Sequence, residues 1–447
     1  MSRVKKIFLL AALSACLMSA YSAEAESVAF EVDADTPVVL ANSRQTITVR
    51  ALVRPESRGR RRVPLAVALV LDKSGSMASG GKMENAKSGA LEALYRLDGQ
   101  DVATVVVYDS RARVAVPARS AADKSLSRSI SLLQPGGNTA LYDGVKLGAE
   151  QLRPFVGEGY IPRIILLSDG LANVGPSSAR ELANFGRVLA RREMTVTTIG
   201  LGLDYDEDLM TALAAESGGN AYFAKHAGAL SDIFARDMDD ATMLTARKVR
   251  VMLTCQEGAR ATGSVGRGAL REDRTSVEVS IDNLYGEEKY ALFEVEIPET
   301  FKETVVATVK LEYLDPSTGR VETREAPLRL TFTKDAREVE KNRHPQIAAQ
   351  KAFALNAEIR EEAVRLVDEG QADKASKLLS GRAEAMKSMS PAAPAPMQAE
   401  FENEAKDFET LAESLSMNNS MTSESRKGVL NKAFIQKNQQ TSVGKGK

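Results

Sequence analysis

The sequence predicts an α/β fold: a doubly wound, largely parallel sheet, inserted in a β-sandwich and followed by a helical region. Three patterns lead to this fold class. Residues 63–243 alternate between apolar strand-like runs and helix-like stretches, which is typical of a parallel sheet with helices on both faces. Residues 245–333 alternate with a period of two, as the strands of an antiparallel sandwich do. From residue 335 onward, apolar residues recur at helical spacing.

The elements of 63–243 can be assigned in order. Four runs are apolar throughout rather than alternating, which indicates strands covered on both faces. These runs are 65–71, 102–108, 164–168 and 195–200. Helical spacing between and after them predicts helices at 83–97, 140–152, 177–192, 206–216 and 230–238.

The flanking segments complete the domain organisation. Residues 27–62 contain two strand-like runs, too few to be stable alone, so we expect them to join the sandwich formed by 245–333. Residues 63–243 would then be an insertion in that sandwich. Residues 335–415 are predicted to form a helical region. Residues 416–447 are polar with little apolar surface to bury, and we expect a disordered tail, or one that is ordered only against a partner.

The first 25 residues resemble a secretory signal peptide. Basic residues precede an apolar run, and Ala23-Glu24-Ala25 is an A-x-A-like cleavage site. A competing interpretation is a lipobox that ends at Cys16, which would attach the mature protein to a membrane through a lipid. We favour cleavage after Ala25. In either case the mature chain is expected to be extracytoplasmic: periplasmic, in the cell envelope or secreted.

Composition and motifs exclude several function classes. The net charge of −1 gives no indication of nucleic-acid binding. No H-E-x-x-H, G-x-S-x-G or P-loop spacing occurs, and the two histidines, His226 and His344, are best interpreted as surface or capping residues. We therefore expect a binding protein rather than an enzyme, with no catalytic residues and no organic cofactor.

Candidate metal ligands follow two of the predicted strands. The run 72–76 places Asp72, Ser74 and Ser76 directly after an apolar strand, and Asp169 ends another. Thr139 lies in a glycine-rich turn that enters a helix. Carboxylates and hydroxyls are hard oxygen ligands that suit Mg²⁺ (or Mn²⁺), and loops at the carboxyl ends of parallel strands are where α/β folds place ligands. Taken alone, the 72–76 run is equally compatible with an Asx-type turn bearing solvated serines.

The five positions together resemble the metal-ion-dependent adhesion site (MIDAS) of von Willebrand factor type A (VWA) domains, which have a doubly wound, Rossmann-like fold. The five residues occur in the same order along the chain as in that site, and each lies at the same kind of position, at the end of a strand or the start of a helix. The stretches 166–175, 198–203 and 218–223 also resemble extracytoplasmic bacterial proteins of this family and the VWA region of inter-alpha-trypsin-inhibitor heavy chains. The resemblance covers roughly 27–335.

The resemblance implies a function and a role for each ligand. Ser74, Ser76 and Thr139 would bind the ion through their hydroxyls, and Asp72 and Asp169 would hold it directly or through water. A protein partner that offers an acidic residue would complete the coordination. This predicts a metal-dependent protein-binding module for adhesion or envelope assembly. The alternative is an accessory subunit of a cell-envelope enzyme or secretion complex. Lys73, which departs from the family pattern, is expected to point outward toward an acidic partner.

Overall fold

The structure is a computed structural model that describes residues 27–56, 62–266, 269–270, 274–300, 302 and 304–440. The predicted signal peptide, with Cys16, and residues 441–447 lie outside this part of the chain. Among the helices of the described residues, none is both long enough and apolar enough to span a membrane.

Seventeen strands form within the described residues. They are β1 (Val28–Ala34), β2 (Val38–Leu40), β3 (Gln45–Pro55), β4 (Leu65–Asp72), β5 (Val102–Tyr108), β6 (Ala112–Ser120), β7 (Ile161–Ser168), β8 (Thr195–Leu201), β9 (Ala221–Ala224), β10 (Ala246–Cys255), β11 (Arg260–Val265), β12 (Ala269–Leu270), β13 (Ser276–Leu284), β14 (Lys289–Ile297), β15 (Val305–Leu314), β16 (Val321–Arg329) and β17 (Thr331–Thr333).

Eleven α-helices accompany these strands in the same part of the chain. They are α1 (Lys82–Tyr95), α2 (Lys124–Ser131), α3 (Leu141–Leu152), α4 (Ala179–Arg191), α5 (Glu207–Ser217), α6 (Leu230–Thr242), α7 (Ala336–Lys341), α8 (Pro345–Asp368), α9 (Ala372–Met389), α10 (Ala395–Asn418) and α11 (Ser423–Lys437).

A six-stranded sheet in the order β6-β5-β4-β7-β8-β9 forms the centre of the inserted domain. Its pairs are parallel except β5–β6, which is antiparallel and lies at one edge. Every residue of β4 is buried, because apolar side chains of helices pack on both faces of the sheet. The fold class predicted from the sequence is confirmed.

The helices divide between the two faces of this sheet. Residues of α1, α2 and α6 share one apolar core with it, and residues of α3, α4 and α5 share the other. Gly89 of α1 allows a close approach to α6, since a Cβ atom placed there would lie 2.6 Å from Cδ2 of Phe234. The sheet is therefore enclosed, and its carboxyl edge is left as the surface at which loops can meet.

The sandwich consists of two antiparallel sheets, β1-β3-β14-β11 and β12-β13-β10-β15-β16, around one shared apolar core. Strand β3 precedes the inserted domain, yet it pairs with β14 over residues 45–53, with Val49 opposite Phe293. Strands β17 and β2 add a short parallel pair. Chain segments on either side of the insertion thus build one sandwich.

The C-terminal helices have their own apolar core, formed by α8, α9 and α10. Helix α11 then returns to the inserted domain, where Phe434 is buried against Ala214 and Ala221. The disordered tail that we predicted for 416–447 is therefore wrong for Ser423–Lys437. This segment has too few apolar residues to fold by itself, but it buries them on surfaces of other elements.

Charged contacts hold α11 as well. Arg426 forms ion pairs with Glu207, Asp208 and Asp368, and the ammonium of Lys427 pairs with Glu207. These pairs connect the last helix to α5 of the inserted domain and to the end of α8. Long-range contacts of this kind leave no pattern in the local sequence, so the sequence predicted a solvated polar segment instead.

Candidate metal centre

Three loops meet at the carboxyl edge of the six-stranded sheet. The first follows β4 and contains a single 3-10 turn at Gly75–Ala78, and the second follows the adjacent strand β7. The third, 136–139, is held to the first by two backbone hydrogen bonds: Gly75 N donates to Gly137 O at 3.0 Å, and Gly136 N donates to Lys73 O at 2.7 Å. The parallel order of β4 and β7 therefore brings the predicted ligands to one place.

Asp72 lies at the base of this place, and 1% of its surface is exposed. Its Oδ1 accepts a hydrogen bond from Ser74 N at 2.8 Å, and its Oδ2 accepts one from Ser168 Oγ at 3.0 Å. Burial, together with the nearby charge of Asp169, raises the pKa of Asp72 to about 6, although the hydrogen bonds from Ser74 and Ser168 act in the opposite direction. A buried carboxylate of this kind is stabilised by a cation.

Asp169 and two serines complete the floor of the site. Ser76 Oγ donates to Asp169 Oδ1 at 2.6 Å, and the hydroxyl oxygens of Ser74 and Ser76 are 3.0 Å apart. Asp169 and Ser74 are buried, whereas Ser76 is exposed. The oxygen cluster is thus closed below and opens to solvent at Ser76.

Thr139 is brought to the same opening. A Cβ atom placed on Gly170 would lie 3.6 Å from Ser76 Oγ and 3.7 Å from Thr139 Oγ1, so both hydroxyls border one small hollow at Gly170. The backbone N–H of Thr139 donates to Asn173 Oδ1 at 2.9 Å, which ties the third loop to the second. Ser76 and Thr139 thus both lie near Gly170, and hydrogen bonds connect Ser76 with Ser74 and Asp169, and Ser74 with Asp72.

The residues present fit a hard divalent cation. Within the described residues, no group of three or more His, Cys, Asp or Glu side chains could hold a metal ion, so a site made of carboxylates alone is not available there. The cluster instead offers two carboxylates and three hydroxyls, a set of oxygen donors that suits Mg²⁺ or Mn²⁺. The hollow beside Gly170 provides the space that a larger side chain would fill.

Two polar residues that contact the carboxylates of the site were not identified from the sequence. Ser168 positions Asp72, and Lys82 Nζ donates to Asp169 Oδ2 at 2.8 Å. The outward orientation expected for Lys73 is wrong, because its half-buried side chain forms an ion pair with Asp109. No short-range spacing indicates these contacts, since each depends on which loops the sheet brings together.

Two exposed leucines flank the site. Leu171 follows Gly170 and is 61% exposed, and Leu203 follows Gly202, where a Cβ atom would lie 3.7 Å from Lys82 Nζ. Both side chains are accessible to a protein that approaches the site.

Metal binding is expected to depend on pH. A proton occupies Asp72 below its pKa of about 6 and competes with a cation, so the affinity for Mn²⁺ should be about tenfold lower at about pH 5 than at about pH 7.5. Calorimetric titration of the protein with MnCl₂ at the two pH values measures this ratio. An affinity that does not change between them would show that Asp72 stays ionised and does not control binding.

The fold and the oxygen cluster together define a class: an open α/β domain that holds a candidate cation site in the crevice at the carboxyl ends of its parallel strands. Comparison with known protein families identifies the family of this domain. Residues 66–236 match the family model of the von Willebrand factor type A domain. Residues 66–236 therefore form a von Willebrand factor type A domain, as the resemblance of the motif predicted. Domains of this family generally mediate protein–protein interactions and are often metal-dependent.

Relatives by sequence agree with this assignment. The uncharacterized protein sll0103 of Synechocystis sp. is 24% identical over 286 residues, which are 61% of this chain and 67% of that protein. The uncharacterized protein YfbK of Escherichia coli is 25% identical over 42% of this chain and 33% of its own. Human inter-alpha-trypsin inhibitor heavy chain H4 is 29% identical over 36% of this chain. The match spans 18% of the length of that heavy chain, so it concerns the domain rather than the whole protein.

Solved structures show the same fold over most of the chain. A von Willebrand factor type A protein from Catenulispora acidiphila superposes with a TM-score of 0.69 over 92% of this chain and 96% of its own, at 17% identity. The ArnB paralog VWA2 from Sulfolobus acidocaldarius superposes with a TM-score of 0.60 over 94% of this chain and 100% of its own, at 16% identity. At these identities the similarity concerns the fold, and it includes the regions outside the inserted domain.

Proposed function

We propose that this protein is an extracytoplasmic, metal-dependent protein-binding module of adhesion or envelope assembly, in which an acidic residue of a partner completes the coordination of a bound Mg²⁺ or Mn²⁺. The observation that carries the proposal is the cluster of two buried carboxylates and three hydroxyls, which opens to solvent at Ser76. The predicted signal peptide supports the extracytoplasmic location.

The charge of the cluster explains why a partner would be needed. Ser74, Ser76 and Thr139 would bind the ion through neutral oxygens, so Asp72 and Asp169 are the carboxylates that offset its charge. Asp169 already accepts hydrogen bonds from Ser76 and from Lys82. A divalent ion in this setting keeps part of its positive charge and attracts an anionic ligand from outside.

The surroundings of the opening favour a protein as the source of that anion. Leu171 and Leu203 are exposed and follow glycines that lie beside residues of the site, and they would pack against apolar residues next to the partner's carboxylate. An interface with a buried polar contact and apolar neighbours is more stable than the isolated carboxylate–metal contact.

The first test is metal binding by the full chain. At a metal concentration of 100 times Kd, native-state binding adds about 2.7 kcal/mol of stability, so Mg²⁺ or Mn²⁺ should raise the thermal midpoint by several degrees. The double variant Asp72→Asn, Asp169→Asn should lose this rise. Ser76→Ala should reduce it, whereas Ser79→Ala, an exposed serine that lies outside the donor cluster, should not. A wild-type midpoint that responds neither to metal nor to EDTA would refute the site.

The second test is partner binding. Immobilised wild-type protein should retain a partner from solubilised envelopes of the source organism in Mg²⁺ and release it in EDTA. The Asp72→Asn, Asp169→Asn variant should not retain it under either condition. Retention that is unaffected by EDTA and by the double variant would contradict the metal bridge; it would favour the alternative function as a subunit that contacts a complex through its C-terminal helices.

A further inference from the structure

We propose that Lys82 is a built-in cation of the metal site, which weakens the binding of a divalent ion alone and makes it depend on an anionic partner. This inference rests on the proposed function and concerns how the same site selects its ligands. The contact that carries it is the ion pair between Lys82 Nζ and Asp169 Oδ2 at 2.8 Å. Asp169 is fully buried and Lys82 keeps 16% of its side chain exposed.

The backbone before Lys82 directs it to the site. Gly80 and Gly81 have φ angles of +61° and +68°, a conformation that residues with a Cβ rarely adopt, and Gly81 is the N-cap of α1. The resulting turn brings the first residue of α1 back over the end of β7. Gly202 lies beside the end of the same side chain, since a Cβ atom there would be in van der Waals contact with Lys82 Nζ and Cε at 3.7 Å.

The first position of a helix is unfavourable for a lysine because of the helix dipole. The N-terminus of a helix carries a partial positive charge, which favours acidic residues over basic ones. Lys82 is the first residue of α1, and no side chain caps this end. The contact with Asp169 accounts for a basic residue there, and residues that oppose a local preference are typical of functional sites.

The charges determine what Lys82 does. Asp72 and Asp169 contribute two negative charges to the cluster, and Lys82 contributes one positive charge. The empty cluster then has a net charge of −1, so it attracts a divalent ion less strongly than the two aspartates alone would. Once the ion is bound, the site has a net positive charge that attracts a carboxylate. Without Lys82 the two aspartates would neutralise the ion, so the ion would bind more tightly and the carboxylate less so. The coupling is reciprocal, since two ligands that assist each other must do so equally.

The comparison that tests this uses two lysines of the same helix. Lys87 also pairs with a carboxylate, Glu84, at 2.8 Å, and its side chain is 10% exposed. Replacing Lys87 therefore removes the same charge from α1 without touching Asp169, and its partner Glu84 is 76% exposed. The variants Lys82→Met and Lys87→Met form a matched pair.

Calorimetric titration of the full chain with MnCl₂ measures the first effect. Lys82→Met should bind Mn²⁺ at least about tenfold more tightly than wild type, because a like charge close to the ion is removed, while Lys87→Met should bind as wild type does. Acetate, as a minimal carboxylate, should then tighten Mn²⁺ binding to wild type and do so less in Lys82→Met.

The outcomes separate this inference from the proposed function. Equal Mn²⁺ affinities of wild type and Lys82→Met, or an equal gain in Lys87→Met, would overturn the role of Lys82 while leaving the metal site in place. Weak binding of Mn²⁺ by wild type that acetate strengthens, beside tight binding by Lys82→Met without acetate, would support the inference in its strongest form. Absence of Mn²⁺ binding in both proteins would overturn the proposed function and this inference with it.

Discussion

Replacing Asp237 with alanine is expected to lower the free energy of unfolding of the inserted domain by about 3–5 kcal/mol, because it leaves a buried guanidinium without its counter-charge. Arg163 of β7 is 1% exposed and Asp237 of α6 is fully buried. The guanidinium donates to both carboxylate oxygens, at 2.9 Å and 2.5 Å. Burial by itself would lower the pKa of Arg163, but the charge of Asp237 raises it well above its ordinary value, so the arginine stays charged.

Other polar groups complete this pair. Arg163 also donates to Thr197 Oγ1 and to Tyr285 Oη, both at 3.1 Å, and Tyr285 directly follows β13 of the sandwich. Asn220 Nδ2 donates to Asp237 Oδ1 at 3.1 Å. Loss of Asp237 would therefore disturb the last helix of the inserted domain together with its contact to the sandwich.

The measurement is urea unfolding followed by circular dichroism, with Asp239→Ala as the control. Asp239 lies on the same helix, is 57% exposed and pairs with Arg96, so its loss should change the midpoint little. A variant Asp237→Ala that unfolds at the wild-type urea concentration would show that Arg163 reaches water or finds another acceptor.

Replacing Arg360 with methionine is expected to cost about 3 kcal/mol and to release α11 from the helical region. The side chain is fully buried; it pairs with Glu404 at 2.9 Å and Asp407 at 2.6 Å, and donates to Gln436 at 2.8 Å. It thus joins α8 to α10 and α11. Glu404 would still pair with Lys432 at 2.7 Å. The expected loss of stability therefore lies at the lower end of the range for a broken buried ion pair.

Hydrogen exchange provides the second readout for Arg360→Met, since amides of 423–437 should exchange faster when α11 detaches. Arg365→Met is the control: Arg365 lies on the same helix, is 55% exposed and pairs with Glu362 and Glu369. It should leave both the thermal midpoint and the exchange of α11 as in wild type. Unchanged exchange in Arg360→Met would mean that the contacts of α11 with the inserted domain are sufficient to hold it.

The candidate site was largely predictable because its residues follow strands that are themselves easy to recognise. Asp72 and Asp169 end continuous apolar runs, and the register of a buried parallel sheet brings such ends to one edge. Ser74 and Ser76 lie two and four residues after Asp72, within one tight turn. Thr139 was assigned through the family pattern, and its approach to Ser76 around Gly170 depends on the loop that follows β7.

Local sequence thus determined the fold class, the carboxyl edge of the sheet and the oxygen donors there, because apolar periodicity and turn residues act over short distances along the chain. Only the tertiary structure determined the contacts between residues that are far apart in the sequence. Lys82 meets Asp169, and Lys427 of α11 meets Glu207. Segment 423–437 looked disordered because its few apolar residues cannot form a core of their own. It folds as α11 because the inserted domain and the neighbouring helices supply the buried surface and the opposite charges that the segment itself lacks.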